Sequence, residues 1–291
     1  MNVLICSDGT DPADHPTRLG AVLAAATKAK VTLLGVAETA NDEQPLRDAI
    51  TSEAESLRNR GLSPEVVIRD GDPIAQMFAQ ASAAAYDLVV VGAPRKRTSG
   101  LHWRAERTYE VIKAIPAPVL VATGVREELK SIVVCTGGKK YIDPAVALTG
   151  KFAAALGASV TLLHVMAEPP AIYADLVRME EDVATLLASG SELGQNLAAQ
   201  KSKIEQLGVT TTIRIRHGLV IDQIFTDVRS SGHDMIVTGS SRARGPLRHY
   251  IMGDVTREIV NRATVPVLVA RSDASPSTGF FASLKRLLGA G

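Results

Sequence analysis

Val3-Leu4-Ile5-Cys6-Ser7-Asp8 and Ile132-Val133-Val134-Cys135-Thr136-Gly137 are the same short strand written twice, 129 positions apart. The same offset lays Val31-Thr32-Leu33-Leu34-Gly35-Val36 on Val160-Thr161-Leu162-Leu163-His164-Val165. Further along, the offset becomes 147, setting Gly71 on Gly218, Ile74 on Ile221, Phe78 on Phe225, Asp87 on Asp234 and Gly92 on Gly239. The second copy therefore carries 18 additional residues between Val165 and Ile213. The copies close with Pro118–Ala122 and Pro266–Ala270. Self-similarity at this length marks two homologous domains, and 291 residues give each half enough chain for its own core.

Each copy alternates strand and helix. In the second, strands are expected near 131–135, 159–165, 210–216, 234–239 and 266–270. All are short, β-branched and nearly continuous in apolar character, as strands covered on both faces must be. Asp143-Pro144 has the form of an N-cap followed by a first-turn proline, and Leu148, Phe152 and Leu156 repeat every fourth residue behind it. The alternation implies an α/β fold of two tandem doubly wound domains, each a parallel sheet flanked by helices with right-handed crossovers. The expected division is residues 1–124, a short linker, residues 130–271, and a joint and tail over 272–291. In the extra segment, Tyr173, Leu176, Met179, Val183, Leu186 and Leu187 fit an amphipathic helix, either an extended crossover or a contact surface. In the tail, Phe280, Phe281, Leu284, Leu287 and Leu288 can form one apolar face. The apolar last strands would be sheet edges and need cover. They are expected to pair with each other inside the chain or across a homodimer.

Composition excludes several classes. Thirty-two basic residues against 31 acidic ones provide no field for nucleic acid. No apolar run has the length of a membrane span, and MNVLICSDGTD lacks a signal peptide's charged lead, so a cytoplasmic location is expected. Cys6 and Cys135 coincide in the repeat and sit in apolar runs, which makes them buried strand residues rather than a redox or metal pair. His164 and His217 read as structural. No histidine pair has metal spacing, and no Gly-x-Ser-x-Gly occurs. Gly137-Gly138-Lys139-Lys140 lacks the first glycine and the hydroxyl of a Walker loop, although Lys139 or Lys140 is placed to reach a phosphate.

In a doubly wound domain, ligands bind beyond the carboxyl ends of the strands, where the strand order reverses. Backbone N–H groups at the following helix make that end attractive to phosphate. In the second copy the segment runs Gly239-Ser240-Ser241-Arg242-Ala243-Arg244-Gly245-Pro246-Leu247-Arg248-His249-Tyr250-Ile251-Met252-Gly253-Asp254-Val255. With VTLLHV, DMIVTGSS and VPVLVAR, it resembles the universal stress protein domain. Nucleotide-binding members of that family carry Gly, two residues, Gly, nine residues, then Gly-Ser or Gly-Thr. The resemblance covers all but the tail and implies five parallel strands in the order 3-2-1-4-5, a last strand used in dimerisation, and ATP or another adenine nucleotide as ligand, with magnesium only alongside it.

By that resemblance, the second-domain site comprises Thr136, Gly137, Val165, Gly239, Ser240, Arg242, Ala243, Gly253, Asp254 and Val255. The first-domain site comprises Asp8, Val36, Gly92 and Arg95. Each copy departs from the pattern. The second has one inserted residue, Ala243 at the second glycine and Asp254 in place of the hydroxyl. The first keeps the spacing but reads Gly92, Arg95 and Ala105-Glu106. Asp8 occupies the family's nucleoside-contacting position, which is Gly137 in the second copy. Arg95, Lys96 and Arg97, and Arg242, Arg244 and Arg248, restore positive charge suited to phosphate. The second domain is expected to be the better phosphate site. Three readings follow: a stress-response protein sensing an adenine nucleotide; an interaction module acting through dimer surfaces, the tail and an unknown protein partner; and, with no catalytic residue identified, at most a weak ATPase.

Overall fold

The computed structural model describes residues 1–9, 16–92, 112, 115–124, 127–166, 183–240 and 255–271. The first half runs β1 (Asn2–Ser7), α1 (Pro16–Thr27), β2 (Lys30–Ala37), α2 (Glu43–Asn59), β3 (Glu65–Asp70), α3 (Pro73–Ala83), β4 (Leu88–Gly92) and β5 (Val119–Ala122). The second runs β6 (Ser131–Cys135), α4 (Asp143–Leu156), β7 (Ser159–Met166), α5 (Val183–Ala188), α6 (Glu192–Glu205), β8 (Thr211–His217), α7 (Val220–Ser231), β9 (Met235–Ser240) and β10 (Val267–Arg271). Residues 255–262 are helical.

The strands form one ten-stranded sheet in the order β3-β2-β1-β4-β5-β10-β9-β6-β7-β8. Each half thus has the doubly wound order 3-2-1-4-5, with parallel neighbours throughout. The two halves join through an antiparallel pairing of their last strands, in the register Val267↔Val121, Leu268↔Leu120 and Val269↔Val119. Of the two modes of edge cover open from sequence, the chain uses its own second copy. Neither β5 nor β10 is left as an edge for a further molecule.

Side-chain alternation along the strands divides the core in two. Val3 and Ile5 face one cluster with Leu19 of α1, Leu46 of α2, Phe152 of α4 and Leu197 of α6. Leu4 and Cys6 face the other with Met77 of α3, Phe225 of α7 and Ile259. Helices therefore cover both faces, and the near-continuous apolar strands have no wet side. The aspartates matched by the repeat have a local job. Asp87 accepts from the Asn2 backbone N–H at 2.8 Å, and Asp234 accepts from those of Lys130 and Ser131 at 2.8 and 3.0 Å. Each fixes the start of its domain's first strand beside its fourth. Gly71 and Gly218 adopt φ of +114° and +124°, which a side chain disfavours.

One local expectation is corrected. Asp143 is helical rather than capping, because a 3-10 turn over Lys140–Ile142 leads directly into α4. Its carboxylate instead accepts from Gln200 Nε2 and Lys203 Nζ, each at 3.3 Å, tying α4 to α6. Within the extra segment, Val183, Leu186 and Leu187 pack partly buried against the core. Tyr173, Leu176, Met179 and the tail lie outside the described residues. No helix among the described residues is long and apolar enough to cross a membrane.

Candidate nucleotide sites at the two strand-order reversals

The strand order reverses between β1 and β4 in the first half and between β6 and β9 in the second. At both places the chain leaving the first strand is held by one buried hydroxyl. In the first half, Ser7 Oγ donates to Glu53 Oε1 at 2.8 Å and accepts from the Gly9 N–H at 3.2 Å. Thr17 Oγ1 donates to the other oxygen of Glu53 at 2.6 Å. In the second half, Thr136 Oγ1 donates to Gln200 Oε1 at 3.1 Å and accepts from the Gly138 N–H at 3.1 Å. Gly9 and Gly138 have φ of +70° and +67°, so the turn has the same hand in both copies.

The chemistry around the two turns differs. In the first half, a small, shallow cleft open to solvent is lined by Cys6, Ser7, Asp8, Leu34, Val36, Glu38, Pro73 and Met77. Apolar walls from β2 and α3 thus face two carboxylates at the carboxyl ends of β1 and β2. Asp8 and Val36, both expected from sequence, meet in this cleft. Gly92 ends β4, and no described residue lies within 4 Å of where its Cβ would stand. Arg95 lies outside the described residues.

In the second half, Asp8 is replaced by Gly137 and Glu53 by Gln200, so two carboxylates become neutral. Thr136, Gly137 and Gly239 come together at the ends of β6 and β9, with Val165 near the end of adjoining β7. The space above them is not open. A Cβ on Gly137 would collide with Tyr141 Oη, and one on Gly239 would collide with Ile142 Cδ1. A Cβ on Gly138 would collide with Leu193 Cδ1 of α6. Lys139, expected to reach a phosphate, pairs with Glu192 at 3.2 Å. Val255, at the start of the 255–262 helix, packs partly buried against the second core cluster. Arg242, Ala243, Gly253, Asp254 and the side chain of Ser240 lie outside the described residues.

His164 and the two cysteines sit in strands and are structural. His164 Nδ1 sits 2.8 Å from the Thr136 carbonyl, which only accepts, so Nδ1 carries the proton. Burial lowers the His164 pKa despite that bond. Burial also raises both thiols, that of Cys135 to about 12 and that of Cys6 higher still, which leaves neither with thiolate character. No group of three or more metal-binding side chains occurs among the described residues.

Sequence reasoning missed Tyr141, Ile142, Glu53 and Glu38. A signal for the first two was present, since the repeat offset sets Tyr141 and Ile142 on Pro12 and Ala13, small residues where the second copy is bulky.

A family model described as the universal stress protein family matches the chain twice, over residues 1–123 and 128–271. Among solved structures, a universal stress protein from Archaeoglobus fulgidus DSM 4304 is 16% identical with a TM-score of 0.61, the match covering 94% of this chain and 98% of that one. A functionally unknown protein from Pseudomonas aeruginosa PAO1 is also 16% identical, with a TM-score of 0.66 and coverage of 100% and 97%. The cytoplasmic domain of a prokaryotic cation chloride cotransporter matches at 14% identity and a TM-score of 0.50, covering 96% of this chain and 98% of that one. At these identities the structural likeness concerns the fold. No curated protein matches the chain.

Proposed function

The chain belongs to the universal stress protein family, and from that premise we propose that it is a stress-response binding protein whose first domain takes an adenine nucleotide in the cleft beside Asp8. The observation that carries this reading is the meeting of Asp8 and Val36 in one cleft at the carboxyl ends of β1 and β2, the first of which borders the strand-order reversal. The lining suits a nucleoside. Leu34, Val36, Pro73 and Met77 offer apolar walls for a purine face, while the Asp8 and Glu38 carboxylates accept from sugar hydroxyls or an exocyclic amine. The phosphates would extend toward Gly92 and the Arg95-Lys96-Arg97 run that follows it in sequence, with magnesium entering only alongside them. The second domain, favoured from sequence, takes second place because Tyr141 and Ile142 stand over its glycines.

Calorimetric titration of the ligand-stripped chain with ATP, ADP, AMP and cyclic AMP tests the proposal. Binding should appear and weaken by about tenfold or more in Asp8→Ala, the loss of one charge-assisted hydrogen bond of ~1.4 kcal/mol or more. Binding unchanged in that variant would remove the cleft from consideration.

The alternative is a ligand-free interaction module. One observation favours it: Leu219 and Val220, at the start of α7, are 74% and 41% exposed, whereas Pro73, at the position matching Val220, is buried. A chain that binds none of the four nucleotides would turn the account toward that surface.

A further inference from the structure

Tyr141 lies in the crevice where a doubly wound domain ordinarily takes its ligand. We infer that it is a built-in plug: the second domain is a closed copy of the site, held shut by the chain's own Tyr141 and Ile142. Truncating them opens a latent site.

The placement follows from distances to two glycines. A Cβ on Gly137 would lie 3.4 Å from Tyr141 Cζ and 3.8 Å from Cε1, beyond its collision with the hydroxyl. A Cβ on Gly239 would lie 3.8 Å from Tyr141 Cε2, on the opposite edge of the same ring. Gly137 follows the end of β6 and Gly239 belongs to β9, and these strands are neighbours paired up to Cys135↔Thr238. The ring therefore spans the crevice between them, with Ile142 filling the β9 side. Ligands of this fold class enter between these two strand ends.

The plug is anchored. Ile142 is 1% exposed and belongs to the core, and Tyr141 packs partly buried against the same cluster. The turn carrying them is tied to α6 by Lys139–Glu192 and by Gln200 Nε2, which donates to the Lys139 carbonyl at 3.2 Å. Burial raises the Tyr141 phenol pKa, consistent with its enclosure. Neither Gly137 nor Gly239 has positive φ. Their missing side chains thus serve space, not backbone conformation. In the first copy the matched residues are Asp8 in place of Gly137 and Pro12 in place of Tyr141. The exchange is paired: the copy with the acidic contact has no ring, and the copy with the ring has no side chain beneath it.

The ligand of the opened site rests on the proposed function and is an adenine nucleotide, contacted by Thr136, Val165 and the backbone of Gly137 and Gly239. The test is calorimetric stoichiometry on the full chain with ATP, for wild type, Tyr141→Ala, Tyr141→Phe, and Asp8→Ala with and without Tyr141→Ala. Tyr141→Ala should raise stoichiometry from about one to about two per chain, Tyr141→Phe should stay at about one, and the double variant should gain a second site beside the weakened one that Asp8→Ala retains. A folded Tyr141→Ala that gains no site overturns the plug while leaving the first-domain reading intact. Conversely, a wild type that binds nothing beside a Tyr141→Ala that binds one defeats the first-domain reading and supports the plug. Should Tyr141→Ala fail to fold, Ile142→Ala replaces it, and ring-labelled tyrosine NMR of the wild type provides a second readout. Saturating ATP should leave the Tyr141 ring signals unmoved, and a shift of those signals would overturn the plug.

Discussion

Leu120 and Leu268 face each other directly across the junction of the two halves, and both are fully buried. They belong to one core cluster, which also holds Phe152 of α4 and Leu19 of α1, so the packing there is shared between copies. Truncating either leucine to alanine removes buried methyl groups and leaves a cavity in a sheet interior covered on both faces, a change that costs about 2–5 kcal/mol. Because the two side chains touch the same space, the second truncation enlarges a cavity already paid for in part by the first. The double variant should therefore lose less than the sum of the singles, with a coupling of about 0.5–3 kcal/mol. Urea unfolding of the four proteins, followed by far-ultraviolet circular dichroism, provides the cycle. Strict additivity within about 0.5 kcal/mol would refute the junction, since residues on separate bodies do not couple.

Three further outcomes are expected. The buried Asp227 carboxylate is opposed by its burial, but Arg214, Arg216 and His233 hold its pKa low, and burial lowers His233 despite Asp227. Both native pKa values lie below their unfolded ones. Stability should therefore fall as pH drops below about 6.5, and again below about 3.9. Asp227→Asn should cost about 2–3 kcal/mol, discounted because the two arginines are a third exposed and stay hydrated, and a pH-independent urea midpoint would contradict the assignment. Gly138→Ala, which combines positive φ with a collision against Leu193, should cost about 2–3 kcal/mol, whereas Gly157→Ala, at the same φ with open space around it, should cost only about 1 kcal/mol by thermal unfolding. Ellman's reagent at pH 8 should leave the buried Cys6 and the half-buried Cys135 unmodified in the folded chain and react with both in urea; prompt reaction of the native protein would contradict their raised thiol pKa values.

The strands were legible because a parallel sheet covered on both faces writes itself as short apolar β-branched runs. The expected 159–165 and 234–239 became Ser159–Met166 and Met235–Ser240. The need to cover Val119–Ala122 and Val267–Arg271 was also readable, but whether the second copy or a second molecule covers them was not. The two edges offer the same backbone chemistry in either arrangement. Asp143 misled because a carboxylate before proline has the local form of a cap, and only the 3-10 turn ahead of it shows otherwise. The family pattern named Asp8 and Val36, and the structure places both on the lining of one cleft. Tyr141 was not legible, because its ring acquires meaning only when β6 and β9 stand side by side, and the adjacent Gly-Gly-Lys-Lys looked like phosphate chemistry. The repeat held the clue in the exchange of Pro12 for Tyr141.

The most direct test of the account is photolabelling of the wild-type chain with 8-azido-ATP, followed by peptide mapping. The first-domain reading predicts label on peptides from the ends of β1 and β2, around Asp8 and Val36, competed away by excess ATP. Competable label confined to peptides of the β6 and β7 ends, around Gly137 and Val165, would contradict both the first-domain site and the Tyr141 plug.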